Sequence, residues 1–363
     1  MNLILFILIL GLLVLAHEFG HFVVAKFFKI RVDEFAIGFP PKIFKWKKGE
    51  TTYSVNWLPI GGFVKIFGEN PDDENTNGPD RKRSFVHKPR FIQALVLVAG
   101  VAMNVLLAWV FFATAIMIGL PAPGGYAGDK QLTNASTAIL EVLPNSPAEK
   151  AGFVSGDKIL AMESGKDKLG NIDIEKVQEF IGAHGSEDIA ISINRKGEQT
   201  IIHATPITGV VSNKPALGIS LGQVGVLKLS FWKAISEAGK ITVYMFGAVA
   251  IGLFELLKSA IVGQADLSQI AGPVGIVGLV GDASHIGFAY LLGFVAMISV
   301  NLAVINLLPF PALDGGRLLF VAIESIIRRR IKPVIANTLN TVGFALLITL
   351  MVVITYHDII KLI

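Results

Sequence analysis

His17, Glu18 and His21 form the run HEFGH, two imidazoles four residues apart with a carboxylate beside the first. Residues four apart share one face of an α-helix, so His17 and His21 can present two nitrogens to a single metal ion. Glu18 is adjacent and can reach a water held by that metal, where a carboxylate can act as base. On an arbitrary soluble helix such a run arises by chance. Here it is flanked by ILFILILGLLVLA and FVVAKFF, both apolar. An ionisable group at the centre of a membrane helix costs about 2.5–3.5 kcal/mol on insertion scales, so an unused cluster would be steadily selected against.

Two histidines do not complete a catalytic zinc site, which typically takes three protein ligands and keeps a fourth position for water. Cysteine is absent, so the third ligand must be His, Asp or Glu, and no disulfide framework exists. Asp314, in NLLPFPALDGGR at the end of a later apolar stretch, fits best. Taken alone it is equally an Asp-Gly turn at a helix end. His285 and His357 fall at the outer ends of their stretches, His87 in a polar loop, and His184 and His203 in a soluble segment.

These residues need helices in lipid to hold them. The 363-residue chain is 52% hydrophobic and 17% charged, against about 25% charged in an ordinary soluble protein. Four stretches approach or exceed the roughly 20 residues that cross a bilayer: 3–28, 91–119, 288–310 and 334–356. The first lacks a basic start and an A-x-A-like exit, so it reads as a retained helix within 1–28 and not a signal peptide. A fifth stretch, 241–263, is interrupted by Glu255 and Lys258. It is expected not to span; it lies along the outer surface or dips in and returns, within a membrane-associated segment 231–285. Lys26, Lys29, Arg31, the basic cluster 81–90 and the basic residues between Arg317 and Lys332 mark 29–90 and 311–333 as cytoplasmic. Both termini and 120–230 then lie outside. The net charge of +4 makes no case for nucleic acid.

Within 29–90, TTYSVNWLPI and GGFVKIFG read as strands, followed by a polar connector, PDDENTNGPDRKR. In the outer segment ILEVL, KILAM and IAISINRKG read as strands and IEKVQEFIGAH as a helix with Val177, Phe180 and Ile181 on one side. That makes an α+β soluble domain over roughly 135–225. The fold class is a polytopic α-helical membrane protein of about four spans, the third (288–320) carrying the NLLPFPALDG motif.

HEFGH in a first span and NLLPFPALDGG late in the chain resemble the paired motifs of the site-2 protease family. GGFVKIFG and the intervening soluble domain resemble its bacterial regulator of sigma-E protease branch. The resemblance covers nearly the whole chain. It implies a zinc (Zn2+) metalloprotease of the bacterial inner membrane, with His17, His21 and Asp314 as zinc ligands, Glu18 as acid/base, and Asn306 matching the Asn that opens the N-x-x-P-x-x-x-L-D-G pattern. It implies single-span membrane substrates already trimmed outside, anti-sigma factors or signal-peptide remnants. PNSPAEKAGFVSGDKILAM resembles a PDZ domain, present once where the best-known branch members have two. Val177, Phe180 and Ile181 would line its peptide groove or belong to its core.

A substrate helix has its carbonyls tied up internally, and freeing them in lipid costs several kcal/mol apiece. The strand GGFVKIFG can pair with an unwound substrate through Phe63 and Val64, with Gly61 and Gly62 allowing close approach. Asn306 and Asn104 would bond freed carbonyls, or else one helix to another. Two other readings remain: a PDZ adaptor that has lost catalysis, or a metal transporter. The first should lack Glu18 or a ligand. The second should carry several ionisable groups along a path, where this chain has one cluster.

Overall fold

The computed structural model describes residues 2–70, 77–123, 132–170, 172–195, 197–209, 214–263 and 271–362. Residues 71–76 of the polar connector lie outside them. Along the chain the helices are α1 (Asn2–Phe27), α2 (Arg90–Ile118), α3 (Pro147–Ala151), α4 (Ile174–Ala183), α5 (Phe231–Ile261), α6 (Pro273–Ile286), α7 (Phe288–Leu307), α8 (Asp314–Ile327) and α9 (Pro333–Leu362). The strands are β1 (Val32–Lys48), β2 (Thr51–Ile66), β3 (Leu120–Pro123), β4 (Leu132–Val142), β5 (Lys158–Ser164), β6 (Asp167–Leu169), β7 (Ile189–Arg195), β8 (Glu198–Ala204) and β9 (Ile219–Leu227). They divide into two compact units, Met1–Ala115 with Ile235–Ile363, and Ile116–Ala234.

In the first unit, α1, α2, α5, α7 and α9 are long and apolar enough to cross a membrane by length and composition. The chain is thus polytopic, with α1, α2, α7 and α9 matching the four expected stretches. The expectation for 241–263 needs correction in one part. It belongs to one unbroken helix, α5, so it does not dip in and return within itself. The two interrupting charges, Glu255 and Lys258, sit about seven turns into that helix, where they do not break the backbone.

The strands β1 and β2 are long and bent, and each pairs with the other twice. Residues 34–37 of β1 meet both 52–55 and 62–65 of β2, while 44–48 meet 51–55. Two chain segments thereby make four runs in the order 62–66, 32–37, 51–56, 42–48, the two outer pairings antiparallel and the central one, 34–37 with 52–55, parallel in register. The run 62–66 is one edge. It lies along α1: an added Cβ on Gly11 would fall 2.9 Å from the Pro59 carbonyl, and one on Gly61 3.2 Å from Val14. Val64 and Ile66 pack with Ala25, Ile30, Val96, Leu97, Leu318 and Val321 in one apolar cluster, which fixes that edge against α1, α2 and α8.

The second unit is α+β, as expected. Its sheet runs β3-β9-β4-β5-β7-β8, with β6 on β5. Ser146 caps α3 through the Glu149 amide, and Asp173 caps α4 through the Glu175 amide. Val177 and Ile181 are buried among Ile159, Ile189 and Ile191, so these two are core residues and do not line a groove; Phe180 is only partly buried. Arg195 grips the fully buried Asp157 carboxylate with two hydrogen bonds of 2.7 Å, and the Val154 amide donates to it at 3.0 Å.

Candidate metal centre

α1 places His17 and His21 on one face, one turn apart, both buried. Asp314, the first residue of α8, comes to the same point. Asp314 Oδ2 stands 2.9 Å from His17 Nε2 and 3.1 Å from His21 Nε2, and the two Nε2 atoms are 3.1 Å apart. The three donors form a nearly equilateral triangle. Its corners lie about 1.8 Å from its centre, so an ion just off the plane would meet all three at the roughly 2.0–2.1 Å of zinc bonds to His and carboxylate. Two nitrogens and one oxygen make a donor set that suits catalytic zinc. Among the described residues, these three are the group of His, Asp and Glu side chains able to hold a metal.

Contacts behind the ligands orient them. The ring nitrogen Nδ1 of His21 donates to the Val96 carbonyl at 2.8 Å, which leaves Nε2 its lone pair for a metal. Asn104, fully buried on α2, faces His17 Nδ1 at 3.4 Å through its amide, while its Oδ1 has no partner. Turning the amide end for end lets Oδ1 accept from His17 Nδ1–H and satisfies both groups. Asn104 thus stands behind a ligand, not in a path open to substrate. Gly100, one turn before it, has the same origin: an added Cβ would run into both imidazoles, 2.7 Å from His17 Cε1. On the other side, Gly315 and Gly316 let the first turn of α8 press on the carbonyls of Leu307, Leu308 and Phe310. Asn340 Oδ1 accepts the Ala312 amide at 3.2 Å, tying the motif loop to α9.

Glu18 points to the sheet edge. Its Oε2 accepts the Val64 amide at 3.0 Å. The expected edge donor is therefore engaged, and with the candidate base. Gly61 (φ +91°) and Gly62 are both buried; a Cβ on Gly62 would lie 2.6 Å from the Ala36 carbonyl. Their missing side chains serve packing against α1 and β1, not approach by a substrate. Phe63 is half-buried and stacks with Phe39 at 6.3 Å. Asn306, in the last turn of α7, is half-buried. His285 is at the far end of α6, and His184 and His203 pair with Asp167 and Asp188 in the second unit.

Sequence reasoning missed Gly100, the Val96 carbonyl, Asn340, Glu69 and Arg317. The last two form an ion pair one turn beyond Asp314. Only the placement of Gly100 one turn before a buried Asn carried a signal.

Comparison with known proteins gives the family. Residues 5–350 match the model of the family described as Peptidase family M50. The chain is 31% identical over 436 aligned positions to the zinc metalloprotease RasP of Geobacillus kaustophilus, covering 99% of this chain and 98% of that one. It is 30% identical to the RasP of Oceanobacillus iheyensis, across 98% of each. A Clostridium perfringens protein is 36% identical over 362 residues, 99% of both chains. This chain, a multi-pass membrane protein with a zinc site's donor set, belongs to peptidase family M50, the zinc metalloproteases of the site-2 protease type.

Proposed function

We propose that this zinc metalloprotease cuts single-span membrane proteins after an earlier cut outside the membrane, with His17, His21 and Asp314 holding zinc and Glu18 as acid/base. The observation that carries the assignment is the triangle of three donor atoms within 3.1 Å of one another, drawn from two helices far apart in sequence. When bound there, zinc supplies Lewis acidity that polarises the scissile carbonyl and makes water more acidic. Glu18 takes the proton of the attacking water and delivers it to the leaving nitrogen. Asn104 and Val96 hold the two imidazoles with Nε2 turned inward. The edge 62–66 receives the unwound substrate as an added strand through its other outward groups, the Val64 amide staying on Glu18, and Asn306, at the end of α7, bonds a freed carbonyl.

The centre faces the cytoplasmic side of a bacterial inner membrane, because Lys26, Lys29 and Arg31 follow α1. α5 then lies along the outer surface. Asp358, late in α9, accepts the Gly272 and Gly275 amides at the start of α6, and Gly281 of α6 abuts Asn2 at the start of α1. α6 is thus at the outer level. The second unit is the single PDZ module outside, filtering trimmed substrates or holding an extended peptide, with partly buried Phe180 beside any groove.

The test is to compare the membrane proteomes of cells making the intact protein and Glu18→Gln. Short single-span fragments should accumulate with the variant. Identical proteomes, in cells where a partner first-cutting protease is active, would overturn the substrate class.

A further inference from the structure

Glu69 and Arg317 carry charges that the chemistry above does not use. Arg317 lies on α8 one helical turn after Asp314, and Glu69 three residues after β2 ends; the two form an ion pair. Both side chains are half-buried, at 30% and 21% exposure, so water screens the pair less than it would on an open surface. Glu18 adds its own attraction to Arg317. Beside the pair, Leu318 and Val321 of α8 share an apolar cluster with Val64 and Ile66 of the edge. The contacts close a ring: Glu18 to Val64, along the edge strand to Glu69, across to Arg317, back one turn to Asp314, and from Asp314 to the histidines flanking Glu18.

A ring of this kind has one mechanical consequence. Apolar packing resists separation of the strand from α8 but is non-directional, so it resists sliding only weakly. The ion pair is directional, and it sits beyond the strand's end. We propose that the Glu69–Arg317 pair sets the register of cleavage, by fixing the edge strand along its own axis against the helix that carries Asp314. A substrate added to this edge is placed residue by residue by the ladder, about 3.3 Å each. A slide of one residue brings the neighbouring peptide bond to the metal and turns its side chains to the other face. Arg317 and Glu69 are thus positioning residues that determine which bond is cut. The inference rests on the metal assignment and the strand-addition reading given above.

Full-length protein in liposomes, given a tagged signal-peptide remnant that the parent cuts, tests it by intact-mass mapping of the product ends. The variants are Glu69→Gln, Glu69→Ala, Arg317→Gln, Arg317→Lys and the double exchange of Glu69→Arg with Arg317→Glu. Both residues line a cavity of about 300 Å3, so glutamine there removes charge without overfilling the site. The parent should give one dominant pair of ends. Each Gln variant should add cuts one or two bonds away and lose about ten- to a hundredfold in kcat, with zinc content unchanged. The double exchange should bring back the single cut. A single cut at the parental bond in both Gln variants, at any rate, overturns the inference. Should the Gln variants lose zinc or fail to insert, Glu69→Ala, in the bend after β2, decides: a spread of cuts supports the inference and a single cut at the parental bond overturns it. Arg317→Lys keeps the charge and can keep the one contact, so it should cut singly. His17→Ala runs alongside; cleavage by that variant would sink the metal assignment instead.

Discussion

The Val64 amide donates to Glu18 Oε2 at 3.0 Å, so the edge strand and the proposed base are linked before any substrate arrives. One hydrogen bond serves two ends: it aims the carboxylate and it marks the depth at which the strand meets α1. Val64→Pro removes the donor. A hydrogen bond to a charged group contributes about 1.5–3 kcal/mol, so cleavage should fall about ten- to a hundredfold. Zinc content and membrane insertion should match the parent. Unchanged cleavage would make the bond incidental.

Asn104 gives a second expectation. With the amide turned so that Oδ1 accepts from His17, Asn104→Ala frees that ring and should weaken zinc affinity about 10- to 100-fold. Asn104→Asp, which keeps an acceptor, should retain more of it. If instead Asn104→Ala binds zinc as the parent does and only raises KM, the residue contacts substrate.

The candidate metal centre was legible because ionisable residues stand out against apolar helices. HEFGH and Asp314 needed no structure to be paired, and α1, α2, α7 and α9 followed from the length of their apolar runs. What stayed hidden depends on contacts between distant segments. Pro59 in TTYSVNWLPI and the two glycines after it mark a join between two runs, but not that both runs flank 34–37, which puts Val64 at an edge. Gly61 and Gly62 read as room for substrate because a missing side chain says nothing about what fills the space; here it is α1 and β1. Asn104 was visible as a polar residue on an apolar helix, but whether it faced ligand or substrate required the position of His17.

The second unit should be sensitive to acid through Asp157. Burial pushes its carboxyl up, but the Arg195 hydrogen bonds and the Val154 amide outweigh it, so it titrates below the usual carboxylate range. A carboxyl depressed in the folded state stabilises it above the unfolded value near 3.9, and that stabilisation is lost as pH falls through the folded value. Amide exchange in β5 and β7 of the full-length protein should be flat from pH 7 to about 5 after correction for intrinsic rates, then show loosening below about 4. Arg195→Gln should remove that dependence and cost roughly 1–3 kcal/mol at neutral pH, toward the lower end because Arg195 is 37% exposed. An unaltered acid response in Arg195→Gln would show that another group governs it.

The lie of α5 is open to direct test. Ser230 and Asp282 are exposed and flank the helix; Gly225, by contrast, is paired within β9. The chain has no cysteine, so Ser230→Cys and Asp282→Cys can be labelled against a clean background. Both should react with an impermeant thiol reagent added outside intact cells. Protection of Asp282→Cys until the membrane is permeabilised would mean that it lies inside and that α5 crosses.

The assignment of Glu18 as base and Asp314 as third ligand rests most directly on zinc content measured together with cleavage. Glu18→Gln should purify with about one zinc per chain and cut nothing, because it removes the base and leaves all three donors. Asp314→Ala should lose both, since Oδ2 closes the triangle with His17 and His21. An Asp314→Ala protein that holds one zinc per chain and cleaves near the parental rate would contradict the centre described here.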